Sequence, residues 1–148
     1  MRQRIVQEFG TDNPWEVKYV RGGLIDVDFI AQFLELSFAH THPAILHPNS
    51  TQVFLNLEEA GLISSDESLR LRQATQFLLD LQASARLLYS EQRISQSFSD
   101  PVKKALAKLM HEPSFEDLEE KLLATLADVQ GLYTNFLGSI DMLASSSS

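Results

Sequence analysis

One long segment of helical periodicity, from Ser64 to about Tyr89, constrains the fold of this chain most strongly. Ser64 is followed three residues later by Glu67, a capping box in which each side chain satisfies a backbone N–H at a helix start. The apolar residues of the segment then recur every three or four positions: Leu71, Ala74, Phe77, Leu78, Leu81, Ala85 and Leu88. The segment therefore predicts a long helix with one buried face.

Five further segments carry apolar residues at helical spacing. They are Met1–Phe9, Leu24 to about Ala39, Ser50–Ala60, Asp100 to about Met110, and a last helix opened by Ser114. Ser50 is expected to cap its helix and Gly61 to end it. Asp100 precedes Pro101, the usual order of an N-cap and the first helical residue, and Gly138 is expected to close the last helix. Strand patterns are lacking, so the sequence predicts an all-α, up-and-down bundle of about five to six helices.

The segment from Leu24 to about Ala39 shows two stripes. Its apolar stripe consists of Ile25, Phe29, Phe33 and Leu36, and its polar stripe of Asp28, Gln32 and Glu35. We expect the apolar stripe to face the bundle, as in other amphipathic helices.

Composition excludes several classes of function. Lys and Arg number 12 against 20 Asp and Glu, a formal net charge of -8. Affinity for nucleic acids and for anionic membranes depends on cationic side chains, so neither partner is expected. The absence of cysteine excludes disulfides, thiolate metal sites and cysteine nucleophiles. No apolar run approaches the roughly 18 residues of a membrane span, and no secretory signal is visible, so a cytoplasmic location is expected.

Asp26 and Asp28 are the first candidates for metal chemistry. On a strand, two carboxylates at this spacing point to one face and can share divalent metals. Here the pair opens a helical segment, where residues two apart are separated by about 200° around the axis. We therefore expect no shared metal, and Asp26 suits the first turn of a helix because its charge complements the helix dipole.

Two other motifs have a double interpretation. Arg21, Gly22 and Gly23 at a helix start offer backbone N–H groups and a cation to an anion such as phosphate, but a tight turn also needs such glycines. His40, His42 and His47 have the chemistry of zinc ligands. No carboxylate or thiol nearby completes the ligand set, so a solvated loop is expected.

A family resemblance rests on the residues from Trp15 to Leu34. They resemble the K-x-x-x-G-G-[IL]-x-D-[IV]-E-F-[IV]-x-Q-[YF]-L motif of glutamine synthetase adenylyltransferase/deadenylylase enzymes, with Lys18 as its first residue. The resemblance covers about residues 1–95. Asp26 matches the C-terminal, adenylylating half of these enzymes, whereas the deadenylylating half has Arg-Glu there. Asp28 stands where the family has Glu.

The resemblance implies a helical domain that follows a nucleotidyltransferase domain. Residues 1–23 would end a linker helix and form a glycine turn toward that missing domain, residues 24–140 would form the bundle, and residues 141–148 would form a disordered Ser-rich tail. The Gly-Ser turn and D-x-D strand of the family are absent, so the resemblance implies no catalytic residue and no metal site in this chain. The parent enzyme would use ATP and Mg²⁺ to transfer AMP to a tyrosine of glutamine synthetase, while the isolated chain would need no cofactor.

The resemblance also implies an interface with the nucleotide or the catalytic domain. Its residues would be Lys18, Arg21, Gly22, Gly23, Asp26, Asp28 and Gln32. Asp28 and Gln32, one turn apart, would fix the geometry of the glycine turn. The expected partners are the nucleotidyltransferase domain, glutamine synthetase and, as a further candidate, the PII signal protein.

Two alternatives remain open beside this interpretation. One is the helical domain of a PII uridylyltransferase-like protein, and the other is a stand-alone interaction module. Removal of a partner domain is expected to expose an apolar patch around Trp15, Val17 and Tyr19, whereas a stand-alone protein should bury these residues.

Overall fold

The computed structural model describes residues 13–89 and 99–147, and within these ranges every regular element is helical. The five α-helices are α1 (Leu24–Phe38), α2 (Ser50–Glu59), α3 (Ser65–Tyr89), α4 (Asp100–Leu109) and α5 (Phe115–Ser147), and a short 3-10 helix spans Pro43–Ile45. Helix α1 contacts α2, α3 and α5, and α3 also contacts α2, α4 and α5. The all-α bundle is confirmed. The predicted helix Met1–Phe9 lies outside the described residues.

The core consists of two clusters that share α3 and α5. The first cluster joins α1 and α2 to the start of α3 and the middle of α5, with Val27, Ile30, Phe54, Leu57, Leu71 and Leu132 among its members. The second joins residues 15–20 and α4 to the rest of α3 and the start of α5, with Trp15, Val17, Leu81, Leu106, Leu118 and Leu122. Full burial of an aliphatic side chain contributes about 1.5–3 kcal/mol, so these two clusters hold the bundle together.

Local capping signals largely predict where the helices begin. The Ser64–Glu67 capping box is confirmed: the N–H of Glu67 donates to Ser64 Oγ at 3.0 Å, and the N–H of Ser64 donates to Glu67 Oε1 at 2.9 Å. Helix α2 is capped by Asn49 rather than Ser50, because Asn49 Oδ1 accepts from the N–H of Gln52. Gly61, with φ of +75°, follows the end of α2 as predicted.

Two other helix boundaries differ from the prediction. The N-cap of α4 is Ser99, and Asp100 is already its first helical residue. Helix α5 continues to Ser147, so the prediction that Gly138 closes it is wrong. Glycine inside a helix costs only about 1 kcal/mol relative to alanine, which does not suffice to end it. The division of the chain into domains stays a prediction.

The buried face of α1 differs from the predicted one. Its buried apolar residues are Val27, Ile30, Ala31 and Leu34. Leu36, which was assigned to the apolar stripe, is exposed, and Ile25, Phe29 and Phe33 are only partly buried. The segment is apolar on nearly all sides, so its sequence pattern leaves the rotation of the helix ambiguous.

The expected apolar patch at the N-terminal segment is also absent. Trp15 is 3% exposed and Val17 is 1% exposed, and only Tyr19 lies at the surface. The indole of Trp15 stacks on the ring of Phe115 at the start of α5, with ring centroids 4.9 Å apart. This segment therefore packs onto the bundle itself, where Trp15, Val17 and Val20 contact apolar side chains of α3, α4 and α5.

None of the described helices combines the length and the apolarity that a membrane-spanning helix requires.

Candidate functional site

The glycine turn is built around the side chain of Asp26. Its carboxylate oxygen Oδ2 accepts a hydrogen bond of 2.7 Å from the backbone N–H of Gly22. The side chain is 5% exposed and lies in the first turn of α1, where the helix dipole favours a negative charge. The backbone N–H of Gly22, which the sequence suggested as a phosphate donor, is therefore occupied by the carboxylate of Asp26.

Both glycines are required by close backbone contacts. Gly22 has φ of +81°, and a Cβ built there would lie 2.2 Å from the carbonyl oxygen of Leu126 on α5. A Cβ on Gly23 would lie 2.1 Å from the carbonyl oxygen of Val17. Only hydrogen fits at these distances. Of the two sequence interpretations, the structure thus supports the tight turn, and it shows that the turn presses against α5.

Asp28 points to a different partner from Asp26. It is exposed, and its Oδ1 accepts a hydrogen bond of 2.8 Å from Ser50 Oγ at the start of α2. Gln32 is exposed as well. The hydrogen bond to the turn comes from Asp26, and the contribution of Asp28 and Gln32 to the geometry of the turn stays a prediction. Among the described residues, no group of three or more His, Asp or Glu side chains is placed to hold a metal ion.

The two cations of the predicted interface have separate surroundings. Lys18 is exposed, with its Nζ 5.3 Å from the centroid of the Tyr19 ring. Arg21 is also exposed, and its backbone carbonyl accepts a hydrogen bond of 3.2 Å from Gln130 Nε2 on α5. The turn is thus tied to α5 through its backbone, which leaves the side chains of Lys18 and Arg21 at the surface.

A groove with a volume of about 340 Å³ lies beside Lys18, and we call it the Lys18–Arg86 groove. Its walls come from the start of α1, the start of α2 and one face of α3, with Lys18, Ile25, Asp28, Leu79, Gln82 and Arg86 among them. Sequence reasoning missed the residues from α3, because more than 50 positions separate them from Lys18 in the chain. The available signal was the helical spacing of Leu79, Gln82 and Arg86 on one face of α3.

A second groove, of about 740 Å³, lies between α3 and α5. Arg70 crosses it and binds the carboxylate of Asp128 through Nε and Nη2. These hydrogen bonds to Asp128 raise the pKa of Arg70 above the usual arginine value. Lys121 Nζ lies 5.1 Å from the centroid of the Phe77 ring and 3.4 Å from Glu112 Oε1. The cations of this groove are thus already paired, which makes it a link between helices rather than a binding site.

The histidines of the loop after α1 are engaged in local contacts. His42 Nδ1 lies 2.8 Å from Thr41 Oγ1, and His47 Nδ1 accepts a hydrogen bond of 2.9 Å from the N–H of Asn49. His40 is exposed. The His47 contact orients the residue that caps α2, which gives this histidine a structural role.

Comparison with known proteins identifies relatives over nearly the whole chain. A family model described as GlnD PII-uridylyltransferase matches residues 2–137. A bifunctional glutamine synthetase adenylyltransferase/adenylyl-removing enzyme of Rhodopseudomonas palustris is 33% identical over 95% of the chain. Enzymes of the same name from Bradyrhizobium diazoefficiens and Xanthobacter autotrophicus are 34% and 29% identical over 93% of it. The chain spans 14% of the length of each of these relatives.

Proposed function

We propose that this chain, which belongs to the family described as GlnD PII-uridylyltransferase, is the helical, non-catalytic domain of an enzyme that adenylylates glutamine synthetase. The names of the curated relatives support adenylylation over uridylylation. The short share of each relative that the chain matches supports a domain role. The proposal includes ATP as the donor, a cytoplasmic location and the PII signal protein as a further candidate partner.

The proposed reaction places the chemistry outside this chain. A tyrosine hydroxyl oxygen of glutamine synthetase would bond to the α-phosphorus of ATP while the bond from that phosphorus to the α,β-bridging oxygen breaks. Pyrophosphate would leave with the bridging oxygen, and the hydroxyl proton would pass to solvent. Mg²⁺ would stabilise the charge that develops on the phosphates. Such an ion needs several oxygen ligands, and the described residues do not offer a cluster of that kind. In the resembled family a Gly-Ser turn and a D-x-D strand bind metal and nucleotide, so we assign ATP and Mg²⁺ to the nucleotidyltransferase domain.

The task of this chain would be positioning. The observation that carries this assignment is the locked turn, in which Asp26 holds the N–H of Gly22 and Gly22 touches the backbone of α5. The backbone of Lys18 and of Arg21 is anchored to the bundle, because their carbonyls accept hydrogen bonds from the N–H of Ile25 and from Gln130 Nε2. In the proposal these two cations face the nucleotidyltransferase domain, where they stabilise the interface or reach the nucleotide phosphates.

One observation favours a second candidate, a stand-alone interaction module. Trp15 and Val17 are buried within the bundle, as that alternative expects. The names of the curated relatives favour the adenylyltransferase domain, and an activity experiment separates the two candidates.

The experiment is a domain replacement. The matching region of the Rhodopseudomonas palustris enzyme is exchanged for this chain, and transfer of label from α-phosphate-labelled ATP to glutamine synthetase is measured. We expect transfer by the chimera and none by the same enzyme with the region deleted. A folded chimera without transfer would contradict the proposal and favour the stand-alone module. Transfer of UMP to the PII protein instead would favour the uridylyltransferase alternative.

A matched pair of variants tests the cations. Lys18→Ala with Arg21→Ala in the chimera should reduce transfer strongly, whereas Lys104→Ala with Lys108→Ala should leave it unchanged. Lys104 and Lys108 are exposed on α4, so both double variants remove two surface charges. Full activity of the Lys18/Arg21 variant would refute the role of this turn.

A further inference from the structure

The Lys18–Arg86 groove has the features of a docking surface for a polypeptide. We propose that it binds an extended segment of the protein substrate, one that carries carboxylates beside apolar side chains. This inference rests on the proposed function, because that function supplies a protein substrate.

The charge of the groove differs from that of the chain. The whole chain has a formal net charge of -8, yet the groove brings Lys18 and Arg86 together with a single acidic residue, Asp28. The carboxylate of Asp28 is engaged by Ser50. Within the described ranges, neither Lys18 nor Arg86 forms an ion pair. Charge complementarity therefore selects an acidic occupant.

The groove extends far enough along α3 to hold a short peptide segment. Thr75, Leu79, Gln82 and Arg86 line it along α3, a distance of about 16 Å at the rise of an α-helix. An extended segment of about five residues covers that distance. Small-molecule sites enclose most of the ligand surface, whereas the exposed Leu79 and Arg86 leave this groove open on its α3 side.

The walls of the groove provide both kinds of contact that such a segment needs. Leu79 is 44% exposed, and the partly buried Leu24 and Ile25 of α1 lie opposite α3. These side chains offer apolar surface, while Gln82 and Thr51 offer groups that hydrogen-bond a peptide backbone. The combination fits a segment in which a carboxylate reaches Arg86 while a neighbouring apolar side chain covers Leu79.

The first test measures binding directly. The 148-residue chain is titrated onto purified glutamine synthetase of Rhodopseudomonas palustris by biolayer interferometry, at low and at physiological salt. We expect binding that weakens with salt. Arg86→Glu and Leu79→Asp should each weaken it by about tenfold or more, and the control Lys104→Glu, which changes the net charge equally, should not. Circular dichroism verifies that each variant is folded.

Three results would overturn the inference. One is binding of Arg86→Glu as tight as that of the unchanged chain, and another is no binding by the unchanged chain. The third comes from titration with inorganic phosphate while the amide signals of Leu79 and Arg86 are followed by NMR. Saturable shifts with phosphate alone, without binding to glutamine synthetase, would assign the groove to a small anion.

The second test separates this inference from the proposed function. In the active chimera, Arg86→Glu should raise KM for glutamine synthetase by about tenfold, with kcat and KM for ATP unchanged. A lower kcat with an unchanged KM for glutamine synthetase would refute docking, while the remaining transfer would leave the proposed function standing. A chimera that binds glutamine synthetase through the groove but transfers no AMP would refute the proposed function and leave docking in place.

Discussion

The carboxylate of Asp26 and the backbone N–H of Gly22 form a buried hydrogen bond across four residues, and this bond joins the glycine turn to the first turn of α1. Asp26→Ala leaves that N–H without its acceptor, which should lower the free energy of unfolding by about 1–3 kcal/mol. Urea denaturation followed by circular dichroism measures the loss. Gln32→Ala, at an exposed position of the same helix, is the control, since such a substitution changes stability by no more than about 0.5 kcal/mol. Equal losses for both variants would contradict the assigned role of Asp26.

Alanine substitutions distinguish the glycines that the fold requires from one that it tolerates. Gly22→Ala places a Cβ against the carbonyl of Leu126, so it should destabilise the bundle by more than about 2 kcal/mol. Gly131 lies inside α5, where a Cβ meets nothing within 4 Å. Gly131→Ala should therefore stabilise the protein by about 0.5–1 kcal/mol. The unfolding temperatures of the two variants should shift in opposite directions, and a shift in the same direction would show that these two glycines do not differ in this way.

Trp15, the single tryptophan of the chain, reports on how residues 13–23 pack against the bundle. Phe115→Leu removes the ring that stacks on Trp15, with an expected loss of about 0.5–1.5 kcal/mol. We expect the fluorescence maximum of Trp15 to move to longer wavelength as water gains access to the indole. Leu123→Ala, at an exposed position of the same helix, should leave the emission unchanged. An unchanged spectrum for Phe115→Leu would mean that the segment is held elsewhere.

The ion pair between Arg70 and Asp128 should contribute little near neutral pH, and its contribution should not change between about pH 7 and 10 because Arg70 stays protonated there. Both side chains are about one-third exposed, so a double-mutant cycle with Arg70→Met and Asp128→Asn should give a coupling of at most about 1 kcal/mol. The pKa of Arg70 is raised in the folded state. Its contribution is therefore fully present below the arginine pKa of the unfolded chain and is lost only in more alkaline solution. Urea midpoints between about pH 7 and 10 should show a constant coupling, and a coupling that disappears in that range would contradict the prediction.

Local signals in the sequence predicted the helices, and contacts between distant residues decided the site. The Ser64–Glu67 box and the glycine at position 61 act within one helical turn, so their spacing is sufficient to predict them. The buried face of α1 was mispredicted, because apolar residues lie on several sides of this helix and the sequence is compatible with more than one buried face. Arg86 was missed, because only the packing of α3 beside α1 brings it to the groove of Lys18.

The glycine motif shows the same limit in another form. Its turn conformation follows from the sequence, but its neighbours do not. The carbonyl of Leu126 that excludes a side chain at Gly22 lies more than 100 residues further along the chain. The pairing of Asp26 with Gly22 was equally hidden, since a carboxylate at a helix start has a sufficient explanation in the helix dipole alone.

The two core clusters share α3 and α5, and this sharing determines how the bundle opens. Leu71 and Leu81 of α3 belong to different clusters, as do Leu132 and Leu122 of α5. Neither cluster can lose its packing while both long helices keep theirs, so the bundle should open as one cooperative unit. Amides in the middle of α3 and α5 should then show one common free energy of opening in hydrogen–deuterium exchange. The glycine turn, which contacts α5, should keep its position until the whole bundle unfolds.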